Sequence, residues 1–291
     1  MNLLTFDIED WYHNHQKNGP KEKYAEFDRY LDAILTKLDE RKIKSTFFCV
    51  GEMGRLFPEV IRKIQQRGHE IGCHSNTHTW LNRMTEAECR MDTHKAVDSL
   101  EQCIGEKVKS YRAPAFSIGE TNKWAFEILA ENGIERDASI FPAARHIGGL
   151  PHFGQKTPCV VAYNGIRMKE FPICTTKVMG KEMAYSGGGF FRFFPLGFVE
   201  KQMKNSPYAM CYFHIGDLVP EHKVMRTRED YEAYYKEKGT FRARCSRYVK
   251  SNLGKKNAFP KVMQLIDHMD FVGLRQADEK IDWTAAPEVA L

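Results

Sequence analysis

Short apolar runs alternate with longer stretches in which apolar residues recur every three or four positions. Residues 3–8, 45–51, 70–75, 110–113, 136–140, 167–173, 209–215 and 271–274 are brief, apolar and flanked by polar or turn residues, which predicts strands. Phe27, Leu31, Ile34, Leu35 and Leu38 fall on one face of a helix. Pro58 opens a helix over 58–67, and Gly68 follows its end. Thr85-Glu86-Ala87-Glu88 has capping-box spacing, so a long helix runs from there to Ile104 and closes at Gly105. Trp124, Ile128 and Leu129 mark another helix, ended by Gly133. Between residues 148 and 189 the pattern loosens around Pro151, Pro158 and Pro172, and the last dozen residues read as a tail.

Strand and helix in alternation imply a mostly parallel sheet. Over 291 residues they predict an α/β fold, a deformed (β/α) barrel of seven or eight mostly parallel strands. One domain is expected over 1–291, with a motif-bearing barrel at about 1–216 and a C-terminal extension at about 217–280. An open doubly wound sheet is the alternative, but neither a G-x-G-x-x-G nor a P-loop supports it. At 42% hydrophobic and 28% charged residues the composition is globular. No run approaches the ~18 apolar residues of a membrane span. The start Met1-Asn2-Leu3-Leu4-Thr5-Phe6-Asp7 lacks a basic leader, so a cytoplasmic location is expected. None of the eight cysteines forms a C-x-x-C pair, and they read as reduced packing residues.

The net charge of +5 is uneven: residues 221–261 hold 12 Lys/Arg against 5 Asp/Glu. That segment is either a solvated helical face or a patch facing an anionic substrate or lipid headgroup. No nucleic-acid motif accompanies it, so nucleic acid is not an expected partner.

In such a barrel the chemistry sits at the carboxyl ends of the strands. Those ends carry Asp7-Ile8-Glu9-Asp10, His74 to His78, Tyr111-Arg112-Ala113-Pro114, Asp137, and Phe213-His214. His74 and His78, four apart, can share one metal ion, and Glu9 or Asp10 completes a His₂-carboxylate set. Strand alternation points Asp7 and Glu9 the same way, favouring Asp7 as base and Glu9 as ligand. His214 is the candidate general acid. Asp137 is expected to hold its tautomer, and Arg112 to orient Asp7 and keep it ionised.

These segments, in this order, resemble the polysaccharide deacetylase family, also called the NodB-homology or carbohydrate esterase family four fold. Thr5-Phe6-Asp7 resembles its first motif and His74-Ser75-Asn76-Thr77-His78 its metal motif H-S/T-x-x-H. Arg112-Ala113-Pro114, Asp137-Ala138-Ser139 and Phe213-His214 resemble the remaining three, covering about residues 1–216. The glycine- and phenylalanine-rich stretch 187–195 and the extension resemble a subgroup associated with exopolysaccharide and surface-glycan gene clusters. The resemblance implies a divalent metal, usually Zn2+, and hydrolysis of an N-acyl group from an amino sugar. It implies Asp7 as base, His74 and His78 as ligands and His214 as acid. It puts substrate against Pro114, Ala115 and Phe116, with the Ala115 N–H facing the oxyanion. The family's usual ligand aspartate directly follows the base, where this chain has Ile8, so Asp7-Ile8-Glu9 is closer to the D-x-D of allantoinase-like relatives. The third ligand stays open between Glu9 and Asp10.

The stretch 187–192 is either a loop closing over substrate through Gly188, Gly189 and Arg192 or a glycine-rich turn between strands. The expected substrate is an N-acetyl or N-formyl amino sugar, nucleotide- or lipid-linked, in surface-polysaccharide assembly. The alternatives are an allantoinase-like amidohydrolase of a small amide and a non-catalytic carbohydrate-binding barrel.

Overall fold

The computed structural model describes residues 1–145, 148–178, 180–221 and 224–291. Its first half alternates strand and helix: β1 (Asn2–Ile8), α1 (Asp10–Gln16), α2 (Glu22–Glu40), β2 (Thr46–Cys49), α3 (Gly51–Leu56), α4 (Pro58–Gln66), β3 (Glu70–Cys73), α5 (Glu86–Ile104), β4 (Ser110–Tyr111), α6 (Ala125–Glu131) and β5 (Arg136–Asp137). Next come β6 (Cys159–Tyr163), β7 (Ile166–Glu170), β8 (Thr175–Val178), β9 (Lys181–Ala184), α7 (Gly188–Phe193), α8 (Leu196–Lys204) and β10 (Ala209–His214). The chain ends with α9 (Ile215–Leu218), α10 (Arg228–Tyr235), α11 (Phe241–Asn252), α12 (Ala258–His268), α13 (Leu274–Lys280) and β11 (Glu288–Ala290).

The helices form where the apolar spacing places them. All five apolar positions of α2 are buried, and burying each such side chain contributes about 1.5–3 kcal/mol. Thr85 and Glu88 make the reciprocal capping box, and Gly105 ends α5 in the left-handed conformation.

The central sheet has nine strands in the order β10-β1-β2-β3-β4-β5-β7-β6-β11. Every pairing is parallel except β6 with β7. Alternate residues divide between two cores. Leu4, Phe6 and Ile8 join Phe47, Cys49, Cys211 and Phe213 in the outer core beneath the helices. Leu3 joins Phe48, Met210, Tyr212, Phe116 and Phe171 in the inner core. Thr5 and Asp7 share the inward parity of Leu3, so strand alternation itself aims Asp7 into the barrel.

The barrel is deformed because its last gap, between β7 and β10, is closed by irregular chain. Phe171 and Ile173 donate to the Asp137 and Ile140 carbonyls. Ser186 Oγ donates to Met210 O at 2.6 Å, and Gly187 bridges to Tyr212.

Four expectations are corrected. Residues 271–274 form no strand: Val272 makes one bridge to Leu3, and α13 starts at Leu274. The tail is structured, since β11 pairs with β6. The loosened stretch holds four strands; β6 and β7 join through Asn164-Gly165, both at positive φ, as a two-residue hairpin needs. Residues 187–192 are neither open loop nor inter-strand turn, because α7 occupies them. Gly187 is required there, since a Cβ would stand 2.2 Å from the Tyr212 ring.

Candidate active site

The carboxyl end of β1 delivers Asp7 and Glu9. Asp7 is almost fully buried, and its Oδ1 accepts from Arg112 Nη1 at 2.7 Å. Arg112 is itself wholly buried: Nη1 also donates to Thr5 Oγ1, Nε to the Ala138 carbonyl, and the guanidinium lies 4.2 Å over the Phe48 ring. The Arg112 carbonyl accepts from His74 Nδ1 at 2.7 Å. That bond fixes the tautomer of His74 and turns its Nε2 lone pair into the site. One residue therefore orients both Asp7 and His74.

His74 and His78 are held in a strained turn. Ser75 and His78 have φ of 64° and 57°. Asp92 of α5 accepts from the Asn76 N–H at 2.9 Å, and the Ser75 and Asn76 carbonyls accept from the first amides of α3. Gly51 allows that approach, because a Cβ there would meet Asn76 Oδ1 at 2.7 Å. Non-glycine residues at positive φ persist only where their surroundings enforce it, and they concentrate at functional sites.

Glu9 Oε2 lies 2.7 Å from His78 Nε2 and 3.4 Å from His74 Nε2. The three side chains form a group able to hold one metal ion, with donor atoms all within 4.8 Å of one another. Burial would raise the Glu9 carboxyl, but His78 and His214 outweigh it and hold it well below the usual carboxylate range. Two imidazoles and an ionised carboxylate suit Zn2+ or a similar divalent ion. Asp10 stands outside this group: its Oδ2 accepts from the Gly216 N–H at 2.7 Å, anchoring the turn after β10.

That turn carries His214. Its Nε2 lies 3.6 Å from Asp7 Oδ2 and 4.0 Å from Glu9 Oε1. Burial lowers the basicity of His214, but Glu9, Asp217 and Asp7 overcome it and push its pKa up to about 10. The carboxylate on Nδ1 is Asp217, at 3.3 Å, rather than Asp137. Asp137 on β5 instead accepts from Ser139 Oγ, which accepts from the Ala113 N–H, so it fastens the turn after Arg112. Asp217 was missed, although its place three residues after His214, one helical turn, was a readable signal. His13 was also missed; it stands edge-on to His78 at 4.6 Å.

Pro114, Ala115 and Phe116 follow β4. Ala115 and Phe116 both adopt positive φ. The Phe116 and Ser117 amides are used within the turn, and among the described residues no backbone acceptor takes the Ala115 N–H. The expectation that Gly188, Gly189 and Arg192 meet substrate is not supported. Arg192 Nη1 donates to Asp217 Oδ1 at 2.7 Å, so it braces the partner of His214. Gly188 packs against the Tyr212 ring, and a Cβ on Gly189 would lie 3.6 Å from Arg192 Nη2.

Residues 3–136 match the sequence profile of the polysaccharide deacetylases, and residues 138–278 match that of a domain of unknown function, DUF3473. Both stretches contribute strands to the one sheet. The first supplies Asp7, Glu9, His74, His78 and Arg112, and the second supplies His214 and Asp217. A peptidoglycan-N-acetylglucosamine deacetylase from Bacillus cereus is 37% identical over 34% of this chain and 36% of its own length. A chitooligosaccharide deacetylase from Bradyrhizobium is 26% identical over 33% of this chain and 42% of its own. The chain thus spans well under half of these relatives. A Mycobacterium smegmatis crystal structure assigned to the polysaccharide deacetylases superposes over 100% of this chain and 92% of that one, with TM-score 0.62 and 18% identity, which shows a shared fold.

Proposed function

We propose, for a chain whose residues 3–136 match the polysaccharide deacetylase family, that this site hydrolyses the N-acyl amide of an amino sugar. The observation that carries the reading is the convergence of Glu9, His74 and His78 on one point beside Asp7 and His214.

Glu9, His74 and His78 would hold a divalent ion, most simply Zn2+, which when bound polarises the acyl carbonyl and acidifies water. Asp7, held in place by Arg112, accepts the proton of the attacking water. The water oxygen bonds to the acyl carbon as the carbonyl π electrons move onto oxygen. The Ala115 N–H is free to donate to that oxyanion. His214 gives its proton to the amide nitrogen, the C–N bond breaks, and carboxylic acid and free amine leave. A His214 held protonated at neutral pH suits that role.

The names of the relatives favour acetyl groups on amino-sugar polymers. The resemblance to surface-glycan enzymes favours a glycan or a nucleotide- or lipid-linked precursor, with acetyl or formyl as the acyl group. The binding-barrel alternative rested on Ile8 replacing the usual ligand, and Glu9 at the metal point weakens it. Among the described residues no helix is long and apolar enough to cross a membrane.

The test is acid release from chitotetraose, UDP-N-acetylglucosamine and an N-formyl amino sugar by the metal-loaded chain. Acetate or formate from at least one, stopped by a chelator, is expected. Turnover of allantoin, or of no amide at all, would overturn the reading.

Asp217 sets the pH range. His214 must be protonated, so activity falls as pH rises through its pKa. Asp217→Asn removes one of the carboxylates that raise it. The alkaline limb of kcat should move down by about one pH unit or more. An unmoved limb would show that another group carries that proton.

A further inference from the structure

A band of guanidinium groups seated on aromatic rings borders the site, and the mechanism above uses none of it. Trp80 stands two residues after His78, and Arg83 stacks 3.6 Å over its ring. Trp80 also meets Tyr234 of α10 edge-on at 5.7 Å, and Tyr234 packs against Tyr235. Arg226 covers Tyr234 at 4.3 Å, and Arg247 of α11 covers Tyr235 at 4.5 Å.

Three observations place this band at the mouth. Tyr234 has its hydroxyl pKa raised by burial and by the charge of Glu9, so it lies within electrostatic reach of the metal cluster. On the opposite side, Arg192, which braces Asp217, donates to the Lys250 carbonyl of α11. Arg145 donates to the Ala115 carbonyl at 2.7 Å; burial and the charge of Arg247 both work against its protonated form. Helices α10 and α11 thus reach from the His78 side to the His214 side.

The charges in this band are unbalanced. Many arginines elsewhere in the chain pair with carboxylates, as in Arg67–Asp39 and Arg90–Glu131. Among the described residues no carboxylate pairs with Arg83, Arg145, Arg226 or Arg247. The charge of Arg247 works against that of Arg145, while Arg247 also bonds Tyr231, whose hydroxyl donates to Glu237. A solvated helical face spreads such charges apart, whereas here Arg145 is bonded to Ala115 and feels the charge of Arg247, and Arg226 and Arg247 cover adjacent tyrosines. Planar guanidinium groups fixed on aromatic faces are suited to bidentate oxyanions.

We propose that Arg145, Arg226 and Arg247 form a subsite for an oxyanion, carboxylate or phosphate, that the substrate carries next to its N-acyl sugar. The inference rests on the amino-sugar deacylase reading and narrows its substrate to an acidic glycan or a phosphate-linked sugar.

Calorimetry with the Asp7→Asn chain separates the cases, using UDP-N-acetylglucosamine (diphosphate), a hyaluronan tetrasaccharide (carboxylate) and chitotetraose (neutral). At least one anionic probe should bind about tenfold or more tighter than chitotetraose at about 50 mM salt. Its affinity should fall steeply towards about 300 mM salt. Arg226→Gln/Arg247→Gln should cost about tenfold and flatten the salt dependence. Whichever probe binds identifies the anion. Equal affinity for the neutral probe, or salt-independent binding of the unsubstituted rim, would overturn the subsite. Acetate release from chitotetraose with no anionic preference would sink the subsite and leave the deacylase reading standing. Tight, salt-sensitive anion binding with no amide turnover would do the reverse.

Discussion

Asp7→Asn gives a folded chain that retains its metal and turns over its amide about 10²–10⁴-fold more slowly, the range expected when a general base is removed. The asparagine keeps the shape and still accepts from Arg112 through its amide oxygen, but it cannot take a proton. Asp7 is not among the residues that converge on the metal point, which are Glu9, His74 and His78. The effect therefore falls on kcat, with metal content unchanged by elemental analysis. If activity persisted within about tenfold, the base would lie elsewhere, since one positioned proton acceptor normally supplies more than that.

Arg112→Met should be the most destabilising single change at the site, by about 3–5 kcal/mol. Methionine fills much of the arginine volume but takes from buried Asp7 its 2.7 Å guanidinium partner, leaving only His214 at 3.6 Å. It also removes the donor to Thr5 and the bond to the Ala138 carbonyl. Urea denaturation of the single variants and of Asp7→Asn/Arg112→Met measures the coupling. The double variant should be more stable than the sum of the two losses predicts, because the carboxylate that lost its guanidinium partner is gone. Additive losses would mean that the ion pair contributes little and that Arg112 acts through packing alone.

The sequence carried the site further than it carried the fold. His74, His78, Asp7, Glu9, Arg112 and His214 stand at strand ends, and strand ends of a parallel barrel converge, so linear order was enough to bring them together. Two placements depended on side-chain direction and were not legible. Asp10 adjoins Glu9 in sequence, but the start of α1 turns it to the Gly216 amide. Asp137 was the expected partner of His214, and the turn into α9 places Asp217 there instead. Arg192 read as a substrate contact because its glycine-rich surroundings suggested a loop; α7 forms there and directs it at Asp217.

In the fold, long amphipathic helices with caps were the most readable elements. The strands at 110–113 and 136–140 shortened to two residues each. Past Tyr111 the Arg112 N–H still donates to the Cys73 carbonyl, but the Ala113 N–H turns to Ser139 Oγ and Pro114 has none to give. The hairpin of β6 and β7 announced itself through Asn164-Gly165, a signal hidden among prolines. Pairing of β11 with β6 joins chain segments more than a hundred residues apart, which no local pattern encodes.

The central claim is that Glu9, His74 and His78 bind a catalytic metal. Elemental analysis of the purified, reconstituted chain tests it most directly, because it needs no knowledge of the substrate. The account predicts close to one divalent ion per chain, lost in His74→Ala/His78→Ala and retained in Asp10→Asn. A chain that binds no metal after reconstitution, or one in which Asp10→Asn abolishes binding while Glu9→Gln does not, would contradict it.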